Sequence, residues 1–349
     1  MNRGDKMADY ILNMGGQNGS GHTNAVDVFK ITETDVELIP DHGLTLSQAR
    51  SGPAVAVCGD YVFAMGGLIG LSSNVVDIFK ATENGVEAVP DHGLSLSVGL
   101  RGLAAASAGN YVLAMGGDAA AGGNYKNTVD VFKVTDNGVE AVPDHGLTLS
   151  EARNSLKAVS CGNYIMAMGG LAGYNNYSAT VDVFKVTESG VEHITDHGLS
   201  LSLGRSGLAA VSCGEYVLAM GGFYTYNDSY VYTNAIDVFH VTENGIEHIL
   251  DHGLTLSTTR AVFPAVSCKG YIFTLGGKDD INSKPSNVID MFKLTPQGIV
   301  AIPDHGLALS EGRTPSAAAI GNCVLAMGGS PTGNVTLPSN VIDVFQIFD

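Results

Sequence analysis

Three observations predict an all-β propeller of seven four-stranded blades. A Gly-Gly pair closes an apolar run seven times, at Gly15/Gly16, Gly66/Gly67, Gly116/Gly117, Gly169/Gly170, Gly221/Gly222, Gly276/Gly277 and Gly328/Gly329. Successive pairs lie 50 to 55 residues apart, too long a period for a leucine-rich or ankyrin unit and the length of one propeller blade. Each repeat also carries four short strand signals separated by turn residues.

The second unit shows the elements in order. Residues 52–58 (GPAVAVC) are small and apolar, as an innermost strand near a tapering axis must be. A Gly-Asp turn leads into residues 61–65 (YVFAM), which end at Gly66/Gly67, where glycine admits conformations and backbone approaches that side chains forbid. After a variable loop comes the third strand, 75–80 (VVDIFK), then Thr-Glu-Asn-Gly and a short outer strand at 86–90. Asp91-His92-Gly93-Leu94 returns the chain to the next blade. Counting these signals along the chain gives seven second and seven third strands but six inner and six outer ones. The first unit lacks a good inner strand and the last lacks an outer one, so at least one terminal blade is expected to be incomplete. An unbroken period with no linker makes residues 1–349 a single domain, although residues 1–9 fit the repeat poorly. Residues 1–7 are read as a tag or linker remnant, or as a poor inner strand of the first blade.

These residues resemble the Kelch repeat over about residues 10–349. An arginine opens the inner strand, a tyrosine precedes the run into Gly-Gly, and V-D-V-F stands at the third strand. The resemblance implies a Kelch-type β-propeller whose Gly-Gly loops share a face with the turns into the arginines. The family's outer-strand tryptophan is missing; Val86, Val139, Val191, Ile246 and Ile299 fall near its place. Blade packing is therefore expected to rest on Phe29, Phe79, Phe132, Phe184, Phe239, Phe292 and Phe345.

Composition narrows the function. A formal charge of −17 argues against nucleic acid, which is bound through clustered excess Lys/Arg. No apolar stretch is long enough for a membrane span and the start is too polar for a signal peptide, so the chain reads as cytoplasmic, or as secreted if trimmed. Cys58, Cys161, Cys213 and Cys268 share one repeat position in four different blades and Cys323 replaces a framework tyrosine, so free buried thiols are expected. Asn-x-Ser/Thr sequons begin at Asn18, Asn176, Asn227 and Asn334, and without a secretory signal they carry little weight.

Polar residues present in every copy read as architecture. His42, His92, His145, His197, His252 and His305, one per blade, cannot converge on a metal; the Asp of each Asp-His-Gly-Leu turn is expected to cap amides, the Gly to be left-handed and the Leu to anchor the loop. Asp27, Asp77, Asp130, Asp182, Asp237, Asp290 and Asp343 recur inside the third strand and need turn amides or inner-strand arginines as partners. His193 and His248 are expected to be solvated surface residues. No catalytic residue, metal site or cofactor is expected, and the abundance of Ser, His and Asp is not a triad.

Two sets remain as candidate binding residues. Of seven arginines, six open inner strands: Arg50, Arg101, Arg153, Arg205, Arg260 and Arg313, with Arg101 displaced by one because Leu100 occupies its slot. They are either braces paired with neighbouring carboxylates or a positive ring at the channel mouth able to hold an anion. Seven of thirteen tyrosines, Tyr125, Tyr174, Tyr177, Tyr224, Tyr226, Tyr230 and Tyr232, fall in the Gly-Gly loops of three consecutive units. These loops, at residues 17–23, 68–73, 118–126, 171–178, 223–233, 278–286 and 330–339, are where the copies differ, and binding on rigid scaffolds concentrates in such loops. The expectation is a non-enzymatic module binding a protein or peptide segment of acidic character on an Arg/Tyr face. The alternatives are a glycan-binding or sugar-active protein, and a duplicated, consensus-like scaffold with no evolved ligand.

Overall fold

The computed structural model describes residues 9–32, 35–120, 122–279, 284–332 and 337–348. The expected remnant at residues 1–7 lies outside them. The strands form seven antiparallel blades arranged as a β-propeller, with no helix among the described residues. Among the described residues blade 1 has three strands, Asp9–Met14, Val26–Ile31 and Val36–Ile39. Blades 2 to 6 add the inner strands Ala54–Cys58, Ala104–Ala108, Lys157–Cys161, Ala209–Cys213 and Ala265–Cys268; blades 3 to 6 reach four strands each, and the sheet of blade 2 takes in a fifth, Ser95–Leu100, from the linker to blade 3. Blade 7 is again three-stranded: Ser316–Ile320, Cys323–Met327 and Ile342–Gln346. Within the described residues the three-stranded blades are the first and the last, the ones the strand count anticipates.

Phenylalanine performs the packing assigned to it. Phe132 of blade 3 sits in the cluster of Phe63, Met65 and Ile78 of blade 2, Phe184 of blade 4 among Leu113, Met115 and Val131 of blade 3, and Phe239 and Phe292 do the same one blade further round. The aliphatic outer-strand residues Val139, Val191, Ile246 and Ile299 lean on those clusters where a tryptophan would stand. Ring closure repeats the device: Phe29, Ile11 and Ile31 of blade 1 pack on Cys323, Leu325 and Met327 of blade 7. The Ser316 hydroxyl donates to Asn13 Oδ1 across the same seam at 3.1 Å. All five cysteines are free and buried. Burial pushes the thiols of Cys58, Cys161, Cys213 and Cys268 up from their usual value.

The Gly-Gly pair is explained by close approach. Gly116 has φ of 64°, and a Cβ there would lie 2.7 Å from the carbonyl oxygen of Arg153 in the next blade. Its neighbour Gly117 donates its amide to that same carbonyl at 2.9 Å. The pair thus joins adjacent blades through backbone alone, a contact closed to any residue with a side chain.

The Asp-His-Gly-Leu turns differ from expectation in who does the capping. In each of the six, histidine Nδ1 accepts the amide two residues on, as in Leu44 N to His42 Nδ1 at 3.0 Å and Leu147 N to His145 Nδ1 at 3.0 Å. The aspartate takes a left-handed conformation in five of the six turns. The firmest anchor is the second leucine, buried at Leu46, Leu96, Leu149, Leu201, Leu256 and Leu309. Imidazole in the right rotamer mimics an Asx turn, which is why the sequence assigned that role to the carboxylate.

Candidate functional site on the loop face

The backbone bridges Arg101↔Asp118, Asn154↔Leu171, Ser206↔Phe223 and Ala261↔Lys278 put the Gly-Gly loops beside the turns into the inner strands, on one face. The arginine backbones lie there, but five guanidiniums turn into the blades. Arg50, Arg153, Arg205, Arg260 and Arg313 are fully buried. They pair with the third-strand carboxylates of their own blades: Arg50–Asp77, Arg153–Asp182 and Arg205–Asp237 at 2.6 Å, Arg313–Asp343 at 2.8 Å, and Arg260 with Asp290. In Arg153 and Arg260 burial pushes the guanidinium down from its ordinary value while the paired aspartate opposes the shift. Each aspartate's other oxygen caps the linker into its blade, as in Ser150 N to Asp182 Oδ1 at 2.9 Å. These five guanidiniums are closed off from solvent and each is paired with a strand carboxylate, the geometry of a brace between strands rather than of an exposed ring. Arg101 differs. Its side chain is 33% exposed and bonds Asp118 at 2.9 Å, in the loop of its own blade.

His193 and His248 are also tied into this scaffold rather than solvated. Their rings stack on Phe184 and Phe239 at 4.7 and 4.6 Å, and their Nε2 atoms reach Asp182 and Asp237 at 3.2 and 3.3 Å. Sequence reasoning missed this because the residue opposite each histidine, phenylalanine, is set by strand register: Phe184↔His193 and Phe239↔His248.

The tyrosines are brought together in part. The blade 5 loop is a hairpin, Phe223–Tyr226 with Ser229–Tyr232, and the blade 4 loop a smaller one, Leu171–Gly173 with Asn176–Tyr177. Phe223 is the hub, with Tyr177, Tyr230 and Tyr232 at ring distances of 5.8, 5.4 and 5.8 Å. The hydroxyls of Tyr177 and Thr225 bond at 2.9 Å, locking the two loops together. Tyr125, half-buried in the blade 3 loop, has its hydroxyl pushed up from the usual value by burial first and Asp118 second, with a further contribution from Tyr177. Tyr224 is half-buried on its hairpin. Tyr174, Tyr226 and Tyr230 project to solvent, 94, 66 and 50% exposed. The seven thus grade from a packed base at Tyr177 and Tyr232 to exposed tips at Tyr174 and Tyr226, with Tyr230 half-exposed while one side of its ring lies against Phe223.

One residue with no forecast role stands at the start of an inner strand. Lys157 opens the inner strand of blade 4 and keeps part of its surface in solvent, while desolvation pushes its ammonium below the usual lysine value. Among the described residues no cluster of His, Cys, Asp or Glu is placed to hold a metal ion, and no helix is long and apolar enough to cross a membrane. No protein-family model matches the chain, and no curated protein matches it.

Proposed function

We propose that this chain is a Kelch-type propeller that acts as a non-enzymatic recognition module, binding a protein or peptide segment on the loops of blades 3 to 5. One observation carries the reading: three aromatic tips, Tyr174, Tyr226 and Tyr230, stand in solvent on hairpins whose bases are locked by Phe223, Tyr177 and Thr225. Exposed tyrosine on a preorganised support gives large contact area and a hydroxyl for hydrogen bonding at small entropic cost, the make-up of an interface hot spot. Buried tyrosine would read as packing and unsupported tyrosine as a mobile loop.

The inward-turned arginines change the expected partner. With Arg101 half-exposed and already held by Asp118, an acidic preference has little cation to rest on. Recognition through tyrosine predicts weak dependence on salt. The test is selection of binding peptides from a displayed library, followed by affinity measurement against the parent protein and Tyr226→Ser/Tyr230→Ser. Selected peptides should lose tenfold or more in affinity for the variant while its melting temperature stays unchanged. Peptides that bind parent and variant equally would place the recognition surface elsewhere.

A further inference from the structure

Blade 3 departs from its neighbours at one carboxylate. In blades 2, 4, 5, 6 and 7 the third-strand aspartate is paired with a buried arginine. In blade 3 Leu100 occupies the arginine slot and Arg101 is engaged with Asp118. Asp130 therefore keeps the linker bond from Ser97 N to Oδ1, at 3.0 Å, while its buried Oδ2 has no hydrogen-bond partner among the described residues.

The outer side of the same carboxylate is open as well. In blades 4 and 5 a histidine reaches the aspartate from the outer strand, stacked on phenylalanine. In blade 3 the residue paired with Phe132 is Ala141, which leaves a pocket of about 530 Å³ lined by Asp130, Phe132, Ala141, Thr128, His145 and Asn74, among others. The Thr128 hydroxyl is likewise buried and without a partner. Blades 2 and 6 also carry alanine at this position, Ala88 and Ala301, but their aspartates have Arg50 and Arg260. Asp130 lacks both cations.

We propose that this pocket is a binding site for a small imidazolium-type cation, which stacks on Phe132 and donates a ring N–H to Asp130. Blades 4 and 5 supply the template, since His193 and His248 make that pair of contacts from within the chain. The ring N–H reaches Oδ1, the oxygen that His193 and His248 touch in their blades and that here also accepts Ser97 N. Oδ2, the oxygen that meets arginine elsewhere, is closed to solvent, so the cation supplies the charge the missing guanidinium would bring rather than a partner for Oδ2. Burial of Asp130, opposed by Ser97 and by the nearby His145, raises its pKa above the ordinary carboxylate range, consistent with an unmet need for a cation.

The probe is 4-methylimidazole at about pH 6, near the usual histidine pKa of about 6.5, so that a large share is cationic. It is titrated while amide chemical shifts are followed. Saturable shifts confined to residues 128–132, 141–147 and 97 are expected. Asp130→Asn should weaken binding at least tenfold, and Ala141→His, which installs the blade 4 contact internally, should abolish it while leaving the rest of the spectrum unchanged. Methylguanidinium binding in place of 4-methylimidazole, or shifts that do not saturate, would overturn the assignment. So would shifts that persist in Ala141→His. Because Ala141→His reproduces a residue pair already present in two blades, the test survives even if Asp130→Asn folds poorly.

Discussion

Replacing Arg205 by alanine tests whether the inner-strand arginines are braces. Its Nη2 donates to Asp237 Oδ2 at 2.6 Å and to Ala219 O at 3.1 Å, and its Nη1 to Leu203 O at 3.1 Å. Removal strands Asp237, itself 1% exposed, with His248 and the Ser202 amide as remaining partners. Breaking one side of a buried pair costs about 3–5 kcal/mol, because the surviving charge stays desolvated. At about 2.1 cal/mol/K of unfolding entropy per residue, a chain of this length loses about 4–7 °C in Tm if it unfolds as one unit. Arg205→Met/Asp237→Leu, which removes both charges, should recover most of that loss. Arg101→Ala, which leaves Asp118 buried with only backbone partners, should cost less than the loss of a fully buried guanidinium but still about 1–3 kcal/mol. Calorimetry checks all three. Arg205→Ala within about 1 kcal/mol of the parent, or no better stability in the double variant, would refute the brace reading.

Three further outcomes follow. Asp130 has a raised folded pKa, so its contribution to stability is fully present below the unfolded carboxylate value and is lost as pH rises through the folded one. The stability of Asp130→Asn relative to the parent should therefore rise as pH rises from about 3, below the usual Asp value of about 3.9, to about 7 in denaturant titrations; a gap that does not change with pH contradicts this. Asn13→Cys/Ser316→Cys places thiols at a seam where the native side chains are 3.1 Å apart, so mild oxidation should crosslink the monomer internally, and crosslinks found only between molecules would mean an open ring. After reductive methylation, the Lys157 signal should titrate at lower pH than those of the other lysines, given the direction of its shift; a titration coincident with theirs would contradict desolvation at the start of that strand.

The fold was legible because the copies agree. Gly-Gly spacing, the V-D-V-F strand and the missing terminal strands could each be read without coordinates, and the alternation of Phe79, Phe132, Phe184, Phe239 and Phe292 between blades followed from them. The direction of the guanidiniums was not legible. Arg205 and Asp237 are 32 residues apart, and a mouth ring and an inward brace place the same residues at the same repeat positions. The capping role of His42 and its counterparts was hidden because aspartate in that turn offers the same hydrogen-bond chemistry. Leu100 was visible as an irregularity, but its consequence for Asp130 emerged only with the strand register that sets Ala141 opposite Phe132. The tyrosines were confined to three loops by the sequence, whereas the grading from a locked base around Phe223, on which Tyr230 leans, to the tips at Tyr174 and Tyr226 depends on how two hairpins lean together.

The claim that recognition belongs to the tyrosine tips is tested most directly by hydrogen–deuterium exchange on the protein with and without a selected peptide. The account predicts protection concentrated at residues 118–126, 171–178 and 223–233, with the turns at 59–60, 83–84, 109–110 and 136–137 on the opposite face unchanged. Protection at those turns, with the three loops unaffected, would contradict it.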